Sequence, residues 1–254
     1  MSQAPPVVLS IAGYDPSSGA GVTADIKTIA AHGCFGITCI TALTVQTTQG
    51  VSAVEPVRPE IIRRTLDELA DDFDIAGVRI GMLGSSAAVI ADFLQSAKLK
   101  NVVLDPIVKS SSGAELVDHL GLTVLRNQLL QLADVVTPNV DEAEALTGTA
   151  DHYAAANRLL DMGARAVVVT GGHLAEAVDV LVTRDGSEEF RAPKIQSRST
   201  HGTGCAFATS IACELAKGKS LREAVIEAKR FVRHAIESAY SVGRGVGPLN
   251  HLAR

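Results

Sequence analysis

The sequence has no tryptophan, few aromatic residues (4%) and no run of basic ones. Without a Lys/Arg cluster, and with a formal net charge of -5, it lacks the footprint of a nucleic-acid-binding protein. Long apolar runs are missing too: each is short and bounded by glycine, proline or charge, which excludes a transmembrane helix. The first residues, "MSQAPPVVLSIAGYDP", show no basic stretch followed by a long apolar one. They do not read as a secretory signal, and a cytoplasmic location is expected. None of Cys34, Cys39, Cys205 and Cys213 stands in a C-x-x-C pair or completes a His/Cys zinc cluster. In a reducing compartment each defaults to a small buried hydrophobe. Linkers, repeats and low-complexity segments are also absent, so residues 1–254 read as one domain.

What is present is apolar mass, 46% of the chain, carried mainly by Ala, Val, Ile and Leu. Its pattern predicts strands at 7–12, 37–43, 51–57, "IAGVRIG", "NVVLDP", "DVVTPN" and "RAVVVTGG", and a hairpin in "AVDVLVTRDGSEEFRAPKI" turned at Asp185-Gly186. Helices are predicted over 19–31, from Pro59 to about Ala70, in "SSAAVIADFLQSA" with a Ser cap, over roughly 114–132, in "VDEAEALT" ended by Gly148, in "DHYAAANRLLDMGA", and twice near the end. The last carries a stripe of Leu221, Val225, Ala228, Val232, Ala235 and Ala239. Strands alternate with helices and are continuously apolar. Both features predict an α/β fold, a mostly parallel sheet covered on both faces. Ligands in such folds bind at the carboxyl ends of the strands.

Several motifs fall at those ends. "STHGTGCAFA" runs from a loop into a helix. Its glycines free the backbone N–H groups, and the helix start adds unpaired donors and partial positive charge. That makes an anion site, or simply a glycine-containing helix start without a ligand. Cys205 stands in the same turn, where the helix field is expected to lower its thiol pKa. It then deprotonates or hydrogen-bonds a substrate hydroxyl, or it is a buried small residue. "TPNVDEAEALTG" carries Asn139 and Glu142 at N-x-x-E spacing. They could hold the water shell of Mg²⁺, but spacing alone favours a helix cap. Asp105, at the end of "VVLDP", could join the metal's outer shell or be an ordinary strand-to-turn residue. "KSSSGAELV" after it has the look of a loop able to fold over phosphates, or of plain surface. "IAGYDPSSGAGVTADIKTIAAHG" is a second glycine-rich strand-to-helix turn. It is neither G-x-G-x-x-G nor a GK[ST] loop, so the common nucleotide fingerprints are absent.

Taken together, the chain resembles the hydroxymethylpyrimidine/phosphomethylpyrimidine kinase family of thiamine biosynthesis, within the ribokinase-like superfamily. The resemblance runs from Val8 to His251. It rests on "IAGYDPSSGAGVTADIKT", "CITALTVQTTQGV", "IGML", "VVLDPIV", "TPNVDEAEAL", "GGHL", "STHGTGCAFA" and "GRGVGPLNHL" in that order. It implies a three-layer α/β/α fold and a homodimeric enzyme that uses ATP and Mg²⁺. The implied reactions phosphorylate 4-amino-5-hydroxymethyl-2-methylpyrimidine and then its monophosphate.

The resemblance also assigns residues. Gln46 reads the aminopyrimidine edge, and Gly13, Asp25 and Met82 line the same pocket. Cys205 faces the reacting hydroxyl, and Gly202, Thr203 and Gly204 form the anion hole. Asn139 and Glu142 match the superfamily's metal and phosphate motif; beside them Thr170, Gly172 and Lys109 are expected at the nucleotide, and Asp105, from its place at a strand end, with Glu142 at the metal. Two positions depart from the family pattern. Thr170 stands where many relatives have Lys, and Lys109 lies two places earlier than usual, with Ser111 in its slot. A pyridoxal kinase of the same family is the neighbouring reading. A non-catalytic pyrimidine-binding regulator is the reading from another class, and the intact Cys205, Asn139, Glu142 and both glycine-rich turns argue against it.

Overall fold

The computed structural model describes residues 4–108, 116–171 and 177–253. Nine strands form one sheet: β1 (Val7–Tyr14), β2 (Phe35–Thr47), β3 (Gly50–Pro56), β4 (Ile75–Ile80), β5 (Val102–Leu104), β6 (Val135–Val136), β7 (Ala166–Val169), β8 (Ala177–Thr183) and β9 (Gly186–Ala192). Their order is β3-β2-β1-β4-β5-β6-β7-β8-β9. The run from β2 to β7 is parallel. β3 and the β8–β9 hairpin add antiparallel edges.

The helices are α1 (Gly21–Ala31), α2 (Pro59–Asp72), α3 (Ala87–Ala97), α4 (His119–Val124), α5 (Leu130–Leu132), α6 (Val140–Thr147), α7 (His152–Asp161), α8 (Thr203–Ala216) and α9 (Leu221–Glu237). Alternate strand residues feed two cores, as the period of a strand demands. Leu9, Ile11, Leu104 and Val167 pack with Ile62 of α2, Ile90 of α3, Leu146 of α6 and Leu159 of α7. Val8, Val103 and Val168 pack with Ile29 of α1, Phe207 and Ile211 of α8 and Val225 of α9. The result is the expected α/β/α sandwich.

The path of the chain through the sheet makes one crevice. From β1 it moves outward to β2 and β3, then returns past β1 to β4 and continues the other way. Such a reversal opens the sheet at the carboxyl ends of the two strands beside it. β1 breaks register with β2 between Ala12 and Tyr14, so Gly13 sits at an irregularity beside that opening.

Some local expectations are corrected. α1 starts at Gly21 rather than residue 19, because residues 15–20 are folded around the Asp15 carboxylate. Ser86 precedes α3 but its side chain makes no cap hydrogen bond. The helix expected over 114–132 starts at His119, capped by Asp118 accepting from Gly121 N–H at 2.6 Å, and turns π-helical over Leu125–Leu129. In the hairpin, Thr183 pairs with Gly186, so the loop residues are Arg184 and Asp185. α9 ends at Glu237, short of Ala239.

Candidate active site

The two glycine-rich turns touch. Gly202 precedes α8 in a left-handed conformation, with φ of +87°. A Cβ there would lie 1.9 Å from the Gly19 carbonyl oxygen, so only glycine fits. Gly204 differs: nothing lies within 4 Å of where its Cβ would be. α8 has no side-chain cap. The N–H groups of Thr203, Gly204 and Cys205 fall in its first turn, where helix geometry gives no intrahelical partner. Thr203 N–H reaches back to Thr200 O at a long 3.4 Å, and open space over the remaining first-turn donors is the local chemistry of an anion hole.

The first turn is organised by Asp15. Its Oδ1 accepts from the Ser17 N–H at 2.8 Å and the Ser17 hydroxyl at 2.7 Å. Its Oδ2 accepts from the Gly19 and Ala20 N–H groups at 3.2 and 2.9 Å and stands 2.9 Å from His201 Nε2. Burial pushes this carboxyl up, but the bonds from His201, Ser17 and Ala20 outweigh it and hold it below its ordinary value. His201 immediately precedes Gly202, and its Nε2 is also 3.2 Å from the Gln46 side-chain nitrogen. Gln46 accepts from the Thr44 hydroxyl at 3.2 Å.

Gly13 and Met82 are neighbours: a Cβ on Gly13 would meet Met82 Sδ at 2.7 Å. The C-terminal "GRGVGP" segment braces the outside of this region. Val246 N–H bonds Thr48 O at 2.9 Å, and Gly247 accepts from His201 N–H at 3.0 Å. Side chains on Gly243 or Gly245 would collide with Thr48, and one on Gly247 with Ser199.

Beneath Cys205 lies a buried ionic network that the motifs did not reveal. Arg79 of β4 donates through Nη1 to Asp25 Oδ2 at 3.0 Å and through Nη2 to Asp105 Oδ2 at 2.6 Å. Asp25 also accepts from the Ser10 hydroxyl at 2.6 Å and the Thr209 hydroxyl at 2.8 Å. Asp25, expected to line the substrate pocket, is instead wholly buried with both oxygens engaged by its own chain, and its partners Ser10, Arg79 and Thr209 are wholly buried too.

The same network reverses the expectation for Cys205. Burial pushes its thiol up to about 11, and the charges of Asp105 and Asp25 add to that effect. Arg79 and the Gly21 backbone oppose them without prevailing. The thiol is protonated at neutral pH, because desolvation outweighs any help from the helix start.

Asn139 and Glu142 form a capping box. Glu142 N–H donates to Asn139 Oδ1, and Asn139 N–H donates to Glu142 Oε2, each at 2.9 Å. The cap reading is thus realised, yet Glu142 does more than cap. Burial pushes its carboxyl up to about 8, and the nearby charge of Asp105 adds to that. Burial and the charge of Asp25 likewise hold Asp105 above its ordinary value, against Arg79.

Two buried carboxyls held above their ordinary values, one of them partly by the charge of the other, suit a divalent cation. Among the described residues no group of three or more His, Cys, Asp or Glu forms a protein cage. The donor set therefore fits Mg²⁺ held largely by water and nucleotide phosphates, and not a closed protein site. Thr170 bridges to Asn139 and donates its N–H to Pro138 O at 2.9 Å. Lys109 and Gly172 lie outside the described residues. A groove of about 1130 Å³ lies elsewhere, among Ala30 and Gly33 at the far end of α1, Lys217 at the far end of α8, and Arg230 of α9.

The family model for phosphomethylpyrimidine kinase matches residues 15–250. The hydroxymethylpyrimidine/phosphomethylpyrimidine kinase of Haemophilus influenzae is 40% identical, over 97% of this chain and 96% of its own. The thiamine biosynthesis bifunctional protein ThiED of Geobacter sulfurreducens is 43% identical over 96% of this chain. This chain spans only 52% of that longer protein. Among solved structures, an ADP complex of Bacillus subtilis pyridoxal kinase superposes with a TM-score of 0.90 at 33% identity, over 98% of each chain. The sheet order, the two touching glycine-rich turns and these relatives agree: the chain belongs to the phosphomethylpyrimidine kinase family, with the ribokinase-like fold.

Proposed function

We propose that this chain is an ATP-dependent kinase of thiamine biosynthesis. It phosphorylates the hydroxymethyl group of 4-amino-5-hydroxymethyl-2-methylpyrimidine and then the resulting monophosphate, working as one domain over residues 1–254. The observation that carries the reading is the open, donor-lined turn at Gly202–Cys205, beside a pocket edge built from Gly13, Gln46 and Met82.

In this reading the Gly202, Thr203 and Gly204 backbone holds the oxygens of the moving phosphoryl group. Preorganised donors of this kind are worth most where charge develops. Cys205 donates a hydrogen bond that orients the attacking hydroxyl. With its thiol at about 11, the thiolate fraction at pH 7 is roughly 10⁻⁴, so it does not act as a standing base. A loose phosphoryl-transfer transition state tolerates that, since the hydroxyl proton need leave only late.

Gln46 reads the ring's amine edge, oriented by His201 and Asp15. Asp25, wholly buried, supports the site from beneath through its bonds with Arg79 and Thr209 and does not touch the ring. Asn139 and Thr170 stand on the nucleotide side, with Lys109 and Gly172 proposed to join them. Glu142 and Asp105 would hold Mg²⁺ through water, and the ion would supply charge neutralisation on the nucleotide phosphates. Among the described residues no helix is long and apolar enough to cross a membrane. We place the enzyme in the cytoplasm, as a homodimer.

A coupled ADP-release assay with the pyrimidine alcohol, its monophosphate and pyridoxal tests the reading. Turnover of both pyrimidines ahead of pyridoxal supports it. Preference for pyridoxal makes the chain a pyridoxal kinase. Tight pyrimidine binding with no turnover makes it a regulator.

A further inference from the structure

Arg79 has no exposed surface and stands in β4, a strand covered on both faces. The residues two places before and after it, on the same face of the chain, are both glycines. Gly77 lets Ala212 and Ala216 of α8 come within 2.9 and 3.1 Å of its missing side chain. Gly81 leaves the space the guanidinium occupies, since a Cβ there would lie 2.1 Å from Nη1. A buried ion pair is weak support for stability, because well-packed apolar residues of similar volume often do as well. Retaining a guanidinium here calls for another reason.

Its two arms reach the two halves of the proposed site. Through Nη1 it holds Asp25, whose other oxygen takes the Thr209 hydroxyl. Thr209 is four residues beyond Cys205 on α8, one turn along the same face. Through Nη2 it holds Asp105, at the end of β5, whose charge acts on Glu142 of α6. One planar fork thus ties the thiol-bearing turn of α8 to the carboxylates proposed for the metal side.

We propose that Arg79 is a positioning residue for phosphoryl transfer: by spanning Asp25 and Asp105 it fixes the distance between the Cys205 turn and the Asp105–Glu142 side. The proposal rests on the kinase reading above. In-line transfer is sensitive to this spacing, and a misplacement of about 1 Å costs on the order of 10²-fold. The guanidinium touches no reacting atom. Its loss should therefore appear in kcat and leave substrate affinity intact.

The test compares wild type with Arg79→Lys, Arg79→Met and the charge-balanced double variant Asp25→Asn/Arg79→Met. Each is checked for folding by circular dichroism and thermal melting. Pyrimidine alcohol affinity is read by calorimetry, and turnover with saturating ATP and Mg²⁺. Arg79→Met is expected to lose about 10²-fold in kcat with the pyrimidine dissociation constant within about threefold of wild type. The Lys variant keeps the charge without the fork and should fall between them. Should Arg79→Met fail to fold, the double variant takes its place.

A folded variant within threefold of wild-type kcat overturns the proposal. So does a loss lying wholly in KM, or equal rates for the Lys and Met variants. Pyridoxal is assayed in parallel. A wrong substrate assignment appears in wild type itself, whereas the variant-to-wild-type ratio is read on whichever alcohol wild type phosphorylates. A wild type that phosphorylates neither overturns both.

Discussion

The Gly19 carbonyl oxygen stands 1.9 Å from where a side chain on Gly202 would begin, so the two glycine-rich turns meet backbone to backbone. Gly202→Ala must also hold φ of +87°, which alone costs about 1–2 kcal/mol. It is expected to lower the urea midpoint and abolish turnover. Gly204 has no such constraint and faces open space. Gly204→Ala should melt like wild type while losing on the order of 10²-fold in kcat, as its methyl enters the anion's space. Wild-type turnover in Gly204→Ala would remove this turn from phosphate binding.

Cys205 should behave as a thiol and not as a base. Between pH 6 and 9 the rate profile is expected to show no inflection that Cys205→Ser removes. Cys205→Ala should lose less than about 10²-fold in kcat, the lower range for removing a general base. The group titrates at about 11 in the fold against 9.0 as a free thiol. The folded state therefore binds this proton more tightly, and stability falls as pH rises from about 9 to 11. Melting curves of wild type and Cys205→Ser across that range should converge toward high pH. An alkylation rate for Cys205 that turns up near pH 7 would contradict this picture.

Glu142 makes a prediction of opposite practical sense. Its ordinary value is 4.5, and it is raised to about 8 in the fold. In metal-free buffer the protonated form is favoured by folding, so stability is fully present below pH 4.5 and declines as pH rises toward 8. Glu142→Gln keeps a cap acceptor without the charge. It should match wild type near pH 4 and melt higher at pH 8. Added Mg²⁺ with a non-hydrolysable ATP analogue should raise the wild-type melting temperature at pH 8 and move the variant less. Equal Mg²⁺ responses would take Glu142 out of the metal's surroundings.

Substrate recognition should respond to the Asp15–His201 pair more than chemistry does. Asp15 Oδ2 and Gln46 both lie against His201 Nε2, at 2.9 and 3.2 Å. His201→Ala is expected to raise KM for the pyrimidine about tenfold, the equivalent of one charge-assisted hydrogen bond, with kcat less affected. Asp15→Asn cannot accept on both sides. It should cost about 1–3 kcal/mol through the abandoned loop N–H groups. Because Asp15 is held below 3.8, its contribution is present at neutral pH and lost as pH falls below that value. A His201→Ala enzyme with unchanged KM would separate Gln46 from ring recognition.

The sequence made the layers legible because β5 and β7 are unbroken apolar runs, and continuity over a strand's length implies cover on both faces. "GTGC" and N-x-x-E were legible because their geometry is local. The sign of the Cys205 shift was not. The helix start is visible in sequence, but the carboxylates that oppose it arrive from α1 and β5. His201 and Asp15 were missed because they lie 186 residues apart. Arg79 did leave a signal in "AGVRIGML". A lone charge between glycines in a strand due for burial on both faces must find partners, and Asp25 and Asp105 were already in view.

The strap at Gly243, Gly245 and Gly247 bears on how the pocket comes into being during translation. Asp15, Gln46 and His201 leave the ribosome in that order, yet the backbone that seats His201 is not complete until Gly247 follows. The nascent chain can lay down its central strands early, while the wall proposed to read the pyrimidine stays unfinished until Gly247 has emerged.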